Sequence, residues 1–192
     1  VGPLDVCSND LTFYDLASQL VGQDLNGFWT DANLIPQPQN SSFYFNSSMP
    51  SGNYIYTVTS SVCLPVTTSL PVTVITAPNA GTANPKDICL NNYSAASPYD
   101  LNDMLIGADG GGIWCAGLVG GAPITSFIDP NTYGIGVFQF TYQVTGILPC
   151  SDDVTTVSLT INPAPVVNTF TSSLATVSQG SAVILTVDMT IG

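Results

Sequence analysis

The strongest constraint on this chain is that it matches itself. "DVCSND" at 5–10 answers "DICLNN" at 87–92, and "DLNGFWTDA" at 24–32 answers "DGGGIWCAG" at 109–117, so Asp24, Gly27 and Trp29 fall on Asp109, Gly112 and Trp114. Farther along, "GNYIYTVTSSVC" at 52–63 answers "FQFTYQVTGILPC" at 138–150, and each copy closes on an alternating run, "TTSLPVTVITAPNAGT" and then "VTTVSLTINPAPVVNT". The offset stays between 82 and 87 residues throughout. A collinear match of that length means one supersecondary unit repeated. It divides the chain into repeats at 1–80 and 81–165, with 166–192 starting another.

Each repeat reads as strands. Tyr54, Tyr56 and Val58 alternate with Ile55 and Thr57, and Phe138, Phe140, Tyr142 and Val144 alternate with Gln139, Thr141 and Gln143, the period of a half-buried strand. Val72 and Val74, and Val157, Leu159 and Ile161, do the same in the closing strands. "FYDLASQLV" at 13–21 and "PYDLNDMLI" at 98–106 instead space Leu16 from Leu20 and Leu101 from Leu105 by four, which predicts short helical turns between strands. About seven short strands per repeat, separated by Gly, Pro and Asn, point to an all-β chain of tandem immunoglobulin-like sandwiches. Proline-containing linkers make them beads on a semi-rigid string. The expected core comprises Trp29, Trp114, Tyr54, Tyr56, Phe138, Phe140 and Tyr142. The tail, in which Val183, Leu185, Val187 and Met189 alternate with Ile184, Thr186, Asp188 and Thr190, is too short for a core and reads as the first strands of an incomplete third repeat.

Charge excludes whole classes of partner. All thirteen acidic residues are aspartates, Lys86 is the single base, and the formal charge is −12. Such a chain repels phosphates, so nucleic acid is excluded as a partner. No apolar run reaches the length that spans a bilayer. The N-terminal "VGPLDVCSND" has neither a basic region nor an apolar stretch and reads as mature protein or as a piece of a longer one.

Without histidine, Ser-His-Asp and Cys-His catalysis are impossible. Neighbouring carboxylates (Asp24 with Asp31, Asp100 with Asp103, Asp152 with Asp153) do not recur together in both repeats, so no catalysis is expected. The repeat pairs Cys7 with Cys63 and Cys89 with Cys150, each closing a loop of ~55–60 residues worth ~3–4 kcal/mol in the chain-entropy model. It leaves Cys115, which stands where the first repeat has Thr30, as a free thiol. Disulfides imply an oxidising compartment. No cofactor is called for; calcium is the one cation the composition would suit, with Asp87, Asp109 and Asp129 as candidate ligands. Tyr44, Phe43, Tyr93 and Tyr133 lack counterparts and are the aromatics available to a carbohydrate. "NSS" at 40 and 46 and "NYS" at 92 are formal glycosylation sequons.

The recurring order of Cys, a Leu-Leu segment, Asp-x-x-Gly-x-Trp, Gly-x-Tyr-x-Tyr-Thr-Val, a second Cys and a closing "PNAGT" resembles the repeats of very large surface proteins of Bacteroidota, including gliding-motility adhesins of the SprB type. The resemblance covers residues 1 to about 165 as two repeats. It implies type IX secretion, an extracellular location at the cell surface, and a place in an adhesin stalk or filament whose partners are neighbouring repeats, surface glycans or other copies of the filament, without insertion into a membrane. Two other readings stay open: carbohydrate-binding accessory modules of a secreted enzyme, and a filament subunit that assembles by strand exchange through 166–192.

Overall fold

A computed structural model of the protein describes residues 2–24, 26–37, 42–173 and 176–190. The chain is all-β. It clusters into two compact units, one formed by residues 1–79 together with 144–153, the other by 80–143 together with 154–192.

The first unit contains β1 (Leu4–Cys7), β2 (Tyr14–Asp15), β3 (Phe28–Thr30), β4 (Tyr44–Phe45), β5 (Gly52–Val58) and β6 (Val66–Ile75). Its main sheet runs β1-β6-β5-β3, and β2 pairs with β4. On β5 the even positions go inward, with Tyr54 and Tyr56 almost fully buried, while the odd positions are less covered. Val6, Leu16, Trp29, Phe45, Leu70 and Val72 close the core around them. The apolar pair in 13–21 folds as a 3-10 turn over Leu16–Gln19 rather than an α-helix: Asp15 caps it by accepting from the Ala17 amide at 3.0 Å, and Leu16 is driven fully into the core.

In the second unit the chain forms β7 (Thr82–Ala83), β8 (Lys86–Cys89), β9 (Tyr99–Asp100), β10 (Leu105–Ile106), β11 (Ile113–Ala116), β12 (Pro123–Ile124), β13 (Phe127–Ile128), β14 (Gly136–Val144) and β15 (Asp153–Asn162). Its main sheet runs β12-β11-β14-β15-β8, beside the small pairs β9 with β13 and β7 with β10. The elements that match the first unit (β8, β9, a 3-10 turn, β11, β13, β14 and β15) come in the same order, with β7, β10 and β12 added to them. A 3-10 turn over Leu101–Met104 is capped by Asp100, whose carboxylate accepts from the Asn102 amide, and again the first leucine is buried. Phe140, Tyr142 and Val144 of β14 face the core, but Phe138, expected there, is only half-buried. It lies near the open end of its strand, edge-on to Tyr133 at 5.4 Å. Thr141 departs from strict alternation by being buried, which its hydroxyl tolerates by donating to the Gly117 carbonyl at 2.8 Å.

In both units the first main strand pairs in parallel with the closing strand. Leu4 stands opposite Val72 and Cys7 opposite Ile75, and likewise Lys86 stands opposite Leu159 and Cys89 opposite Asn162. The chain therefore enters each unit at one end of this pair and leaves at the other.

The tail forms an antiparallel ribbon of β16 (Val166–Ser172) and β17 (Leu185–Thr190), with every residue of both strands exposed.

Candidate functional site

Two kinds of residue recur in both repeats and carry chemistry: the Asp-x-x-Gly-x-Trp motif with its tyrosine, and the cysteines. The motif is a docking loop. Trp29 on β3 stands opposite Tyr56 on β5, their rings 5.1 Å apart, and Trp114 on β11 stands opposite Tyr142 on β14 at the same 5.1 Å. The Tyr56 hydroxyl reaches out of the sheet, donates to the Asp24 carbonyl at 2.6 Å and accepts from the Gly27 amide at 2.9 Å. Tyr142 does the same with the Asp109 carbonyl and the Gly112 amide, both at 2.9 Å. The recurring glycine follows from that contact. A Cβ on Gly112 would lie 2.5 Å from Tyr142 Cζ and 2.6 Å from the Gln143 carbonyl oxygen, and one on Gly27 would meet the Tyr56 ring in the same way. The signal was in the sequence, since each motif is followed by a tyrosine two residues before a valine, yet periodicity gives a side chain's face and not what its hydroxyl reaches.

The cysteines depart from the expected pairing. Cys7 is bonded to Cys150, across 143 residues of sequence, with Cα atoms 5.0 Å apart, while Cys63 and Cys89 are free thiols. Pairing within a repeat is ruled out by the register. Cys7 stands at the Ile75 end of β6, whereas Cys63 sits in the loop before Val66, at the other end of a ten-residue strand, ~30 Å away at ~3.3 Å per residue. The second repeat has the same arrangement: Cys89 stands opposite Asn162, and Cys150 precedes Asp153 at the start of the ten-residue β15. Each repeat thus has a cysteine at either end, and segment 144–153, which carries Cys150, belongs to the first compact unit with Cys7. Cys115 is a free, buried thiol; it follows Trp114 on β11 and points to the opposite face, against Thr141 and Pro123.

The candidate calcium ligands are not brought together. Asp87 is exposed on β8, Asp109 lies in the tyrosine-docking loop, and Asp129 caps a 3-10 turn by accepting from the Asn131 amide at 3.0 Å. Among the described residues no group of three or more His, Cys, Asp or Glu side chains is placed to hold a metal ion. The neighbouring carboxylates are also engaged in turns. Asp31 accepts from the Asn33 and Ile35 amides, each at 2.9 Å, and Asp152 from the Gly146 amide at 2.9 Å. Asp10 accepts from the Tyr14 hydroxyl at 2.6 Å; hydrogen bonds from Thr12 and Tyr14 hold its carboxyl below the usual range, and the same bond raises the Tyr14 phenol.

Of the four unmatched aromatics, Tyr44 alone is exposed. Phe43 is half-buried against Trp29 and Tyr54, Tyr93 stands edge-on to Tyr99 at 5.3 Å, and Tyr133 packs edge-on to Phe138 and Phe140. Burial is the main cause that pushes the Tyr54 and Tyr99 phenols up to about 12, and it raises Tyr133 as well. Of the three sequons, Asn40 lies outside the described residues, while the Asn46 side chain already accepts from the Ser48 amide and hydroxyl.

Hollows accompany both repeated features. One of about 610 Å³ opens beside the docking loop of the second unit, lined by Gly110 to Gly112, Trp114 and Tyr142, and one of about 370 Å³ lies beside Tyr56 and Asp24 in the first. A third, of about 430 Å³, holds Cys89 in its wall. No helix among the described residues is long and apolar enough to cross a membrane. Neither a protein-family model nor a curated protein sequence matches the chain.

Proposed function

We propose that this chain is a non-catalytic segment of an extracellular, cell-surface stalk built from tandem immunoglobulin-like sandwiches, serving adhesion or surface motility. The observation that supports this reading best is the parallel pairing of first and last strands in each unit, β1 on β6 and β8 on β15. A unit entered at one end and left at the other can be strung in line. Tension on a unit's two ends loads the hydrogen bonds of that pair side by side in shear rather than one at a time, and the Cys7–Cys150 bond carries tension covalently past residues 8–149. What recurs between repeats is scaffolding: Trp against Tyr, the tyrosine hydroxyl on the docking loop, and the capping aspartates. The disulfide suits an oxidising compartment.

Reduced and then pulled from its two ends in a force spectrometer, the chain is expected to resist and then lengthen in discrete, unit-sized steps, whereas the oxidised chain, in which Cys7–Cys150 shields residues 8–149 from the load, should lengthen far less. Smooth lengthening at low force contradicts a load-bearing stalk. The carbohydrate-binding reading has one observation in its favour, exposed Tyr44. Saturable binding on a glycan array that is lost in Tyr44→Ala would replace the stalk with that reading.

A further inference from the structure

The cysteine bond has a direction. Cys7 belongs to the first sequence repeat and Cys150 to the second, so the first-strand cysteine of one repeat is joined to the loop cysteine of the next. The two remaining cysteines at repeated positions are the counterparts left over: Cys89 is the second repeat's equivalent of Cys7, and Cys63 is the first repeat's equivalent of Cys150. We propose that Cys63 and Cys89 are the plug and socket of the same bond, each made with another repeat of this kind, so that successive repeats are linked head to tail by a relay of disulfides. The proposal rests on the reading of the chain as repeats of an array.

Three observations support it. The first is the distance within a repeat: the two cysteines stand at opposite ends of a ten-residue strand, too far apart to bond one another and placed to bond outward. The second is the socket. Where Cys7 is bonded it is buried to 5% exposure and Cys150 to 3%. At the equivalent place beside Cys89 there is instead an open hollow of about 430 Å³, walled by Ile88, Cys89, Tyr93, Asn162 and Pro163. The Cys89 thiol is held at its edge, donating to Asn91 Oδ1 at 2.9 Å. The third is the plug. Cys63 is exposed in the loop between β5 and β6, flanked by Val62 and Leu64, which are 89% and 88% exposed. An apolar loop carrying a thiol and a hollow carrying a thiol are complementary, and their bonded equivalents show what fills such a site: the loop of the following repeat.

Bond formation balances with a disulfide oxidant such as oxidised glutathione. The Cys63 thiolate attacks one glutathione sulfur and expels a glutathione thiolate. The Cys89 thiolate then attacks Cys63 Sγ in the mixed disulfide and expels the second, so two thiols lose two protons and two electrons while one oxidised glutathione becomes two reduced ones.

The test uses the full 192-residue chain with glutathione as the redox buffer. Cleavage before aspartate puts the five cysteines on five fragments, 5–9, 31–86, 87–99, 109–128 and 129–151. The expected result is a concentration-dependent ladder of multimers in which 31–86 is joined to 87–99, while 5–9 stays joined to 129–151. Cys63→Ser and Cys89→Ser should each abolish the ladder, and mixing the two variants should yield a heterodimer exceeding either homodimer by about tenfold or more, the ratio that a docking preference of ~1.4 kcal/mol produces. Homodimers at comparable yield, bonds joining 5–9 to 31–86 and 87–99 to 129–151, or a chain that stays monomeric would each overturn the relay. These outcomes are separate from the force and glycan measurements, which test the stalk itself.

Discussion

Replacing Tyr56 with phenylalanine removes one oxygen and two hydrogen bonds, the one donated to the Asp24 carbonyl at 2.6 Å and the one accepted from the Gly27 amide at 2.9 Å. Gly27 is buried, so its N–H is left stranded under the ring. One bond to the exposed Asp24 carbonyl at ~1 kcal/mol net and a buried donor left unmet at ~1–3 kcal/mol give an expected loss of about 3 kcal/mol. Tyr142→Phe removes the equivalent pair, but Gly112 is only half-buried and water can reach it, so about 1–2 kcal/mol is expected there. For a unit of this size those losses lower the midpoint of thermal unfolding by about 12–24 °C and about 4–16 °C respectively. The chain has two tryptophans, one in each unit and each packed on the tyrosine in question, so fluorine NMR of the fluorotryptophan-labelled protein follows the two transitions separately. Tyr44→Phe, at an exposed ring, is the control and should stay within ~0.5 kcal/mol. If Tyr56→Phe behaves like that control, or if Tyr142→Phe is the costlier change, the docking-loop account is wrong.

Gly112→Ala should destabilise the second unit at least as much as Tyr142→Phe, because its methyl would overlap the Tyr142 ring and the Gln143 carbonyl; a neutral result in the same NMR-monitored melt contradicts this. Reducing Cys7–Cys150, or changing either residue to serine, frees a closure across 143 residues and should cost up to about 5 kcal/mol, read as a drop in the denaturant midpoint. An unchanged midpoint would mean that the bond does not constrain the unfolded chain. In the monomer with Cys7–Cys150 intact and Cys63 not yet joined to another copy, iodoacetamide should modify exposed Cys63 within minutes and buried Cys115 only after denaturant is added, with mass spectrometry of fragments 31–86 and 109–128 as the readout. Alkali should weaken the fold. Tyr54 and Tyr99 hold their protons up to about 12 when folded but ionise near the usual 10 when unfolded, so the stability they support is complete below pH 10 and falls as the pH rises toward 12. Ultraviolet titration of the phenols alongside urea melts at pH 9 to 12 checks both parts.

Much of the architecture was legible because it is local. Alternation around Tyr54 and Tyr56, and around Phe140 and Tyr142, names a strand and its inward face without knowledge of what lies across the core. Leu16 and Leu101 announce a turn that must bury them. The form of that turn is a tertiary matter: the chain must re-enter a strand within a few residues, so a capped 3-10 turn replaces an α-helix. Phe138 shows the same limit. Its alternation with Phe140 is regular, yet its place near the open end of β14 leaves it half-covered. The calcium candidates were inferred from composition, and the fold uses Asp129 as a cap and the Asp109 backbone as a tyrosine acceptor.

The internal repeat determined, from sequence alone, that there are equivalent positions, which residues occupy them, and which faces are apolar. It could not determine which copy of a residue meets which. Cys7 matches Cys89 and Cys63 matches Cys150 whether bonds form inside a repeat or from one repeat to the next, because equivalence is preserved under both pairings. Only the tertiary structure separates them: a ten-residue strand between the cysteines of one repeat holds them ~30 Å apart, and a disulfide requires Cα atoms within ~7 Å, a distance that Cys7 meets with Cys150.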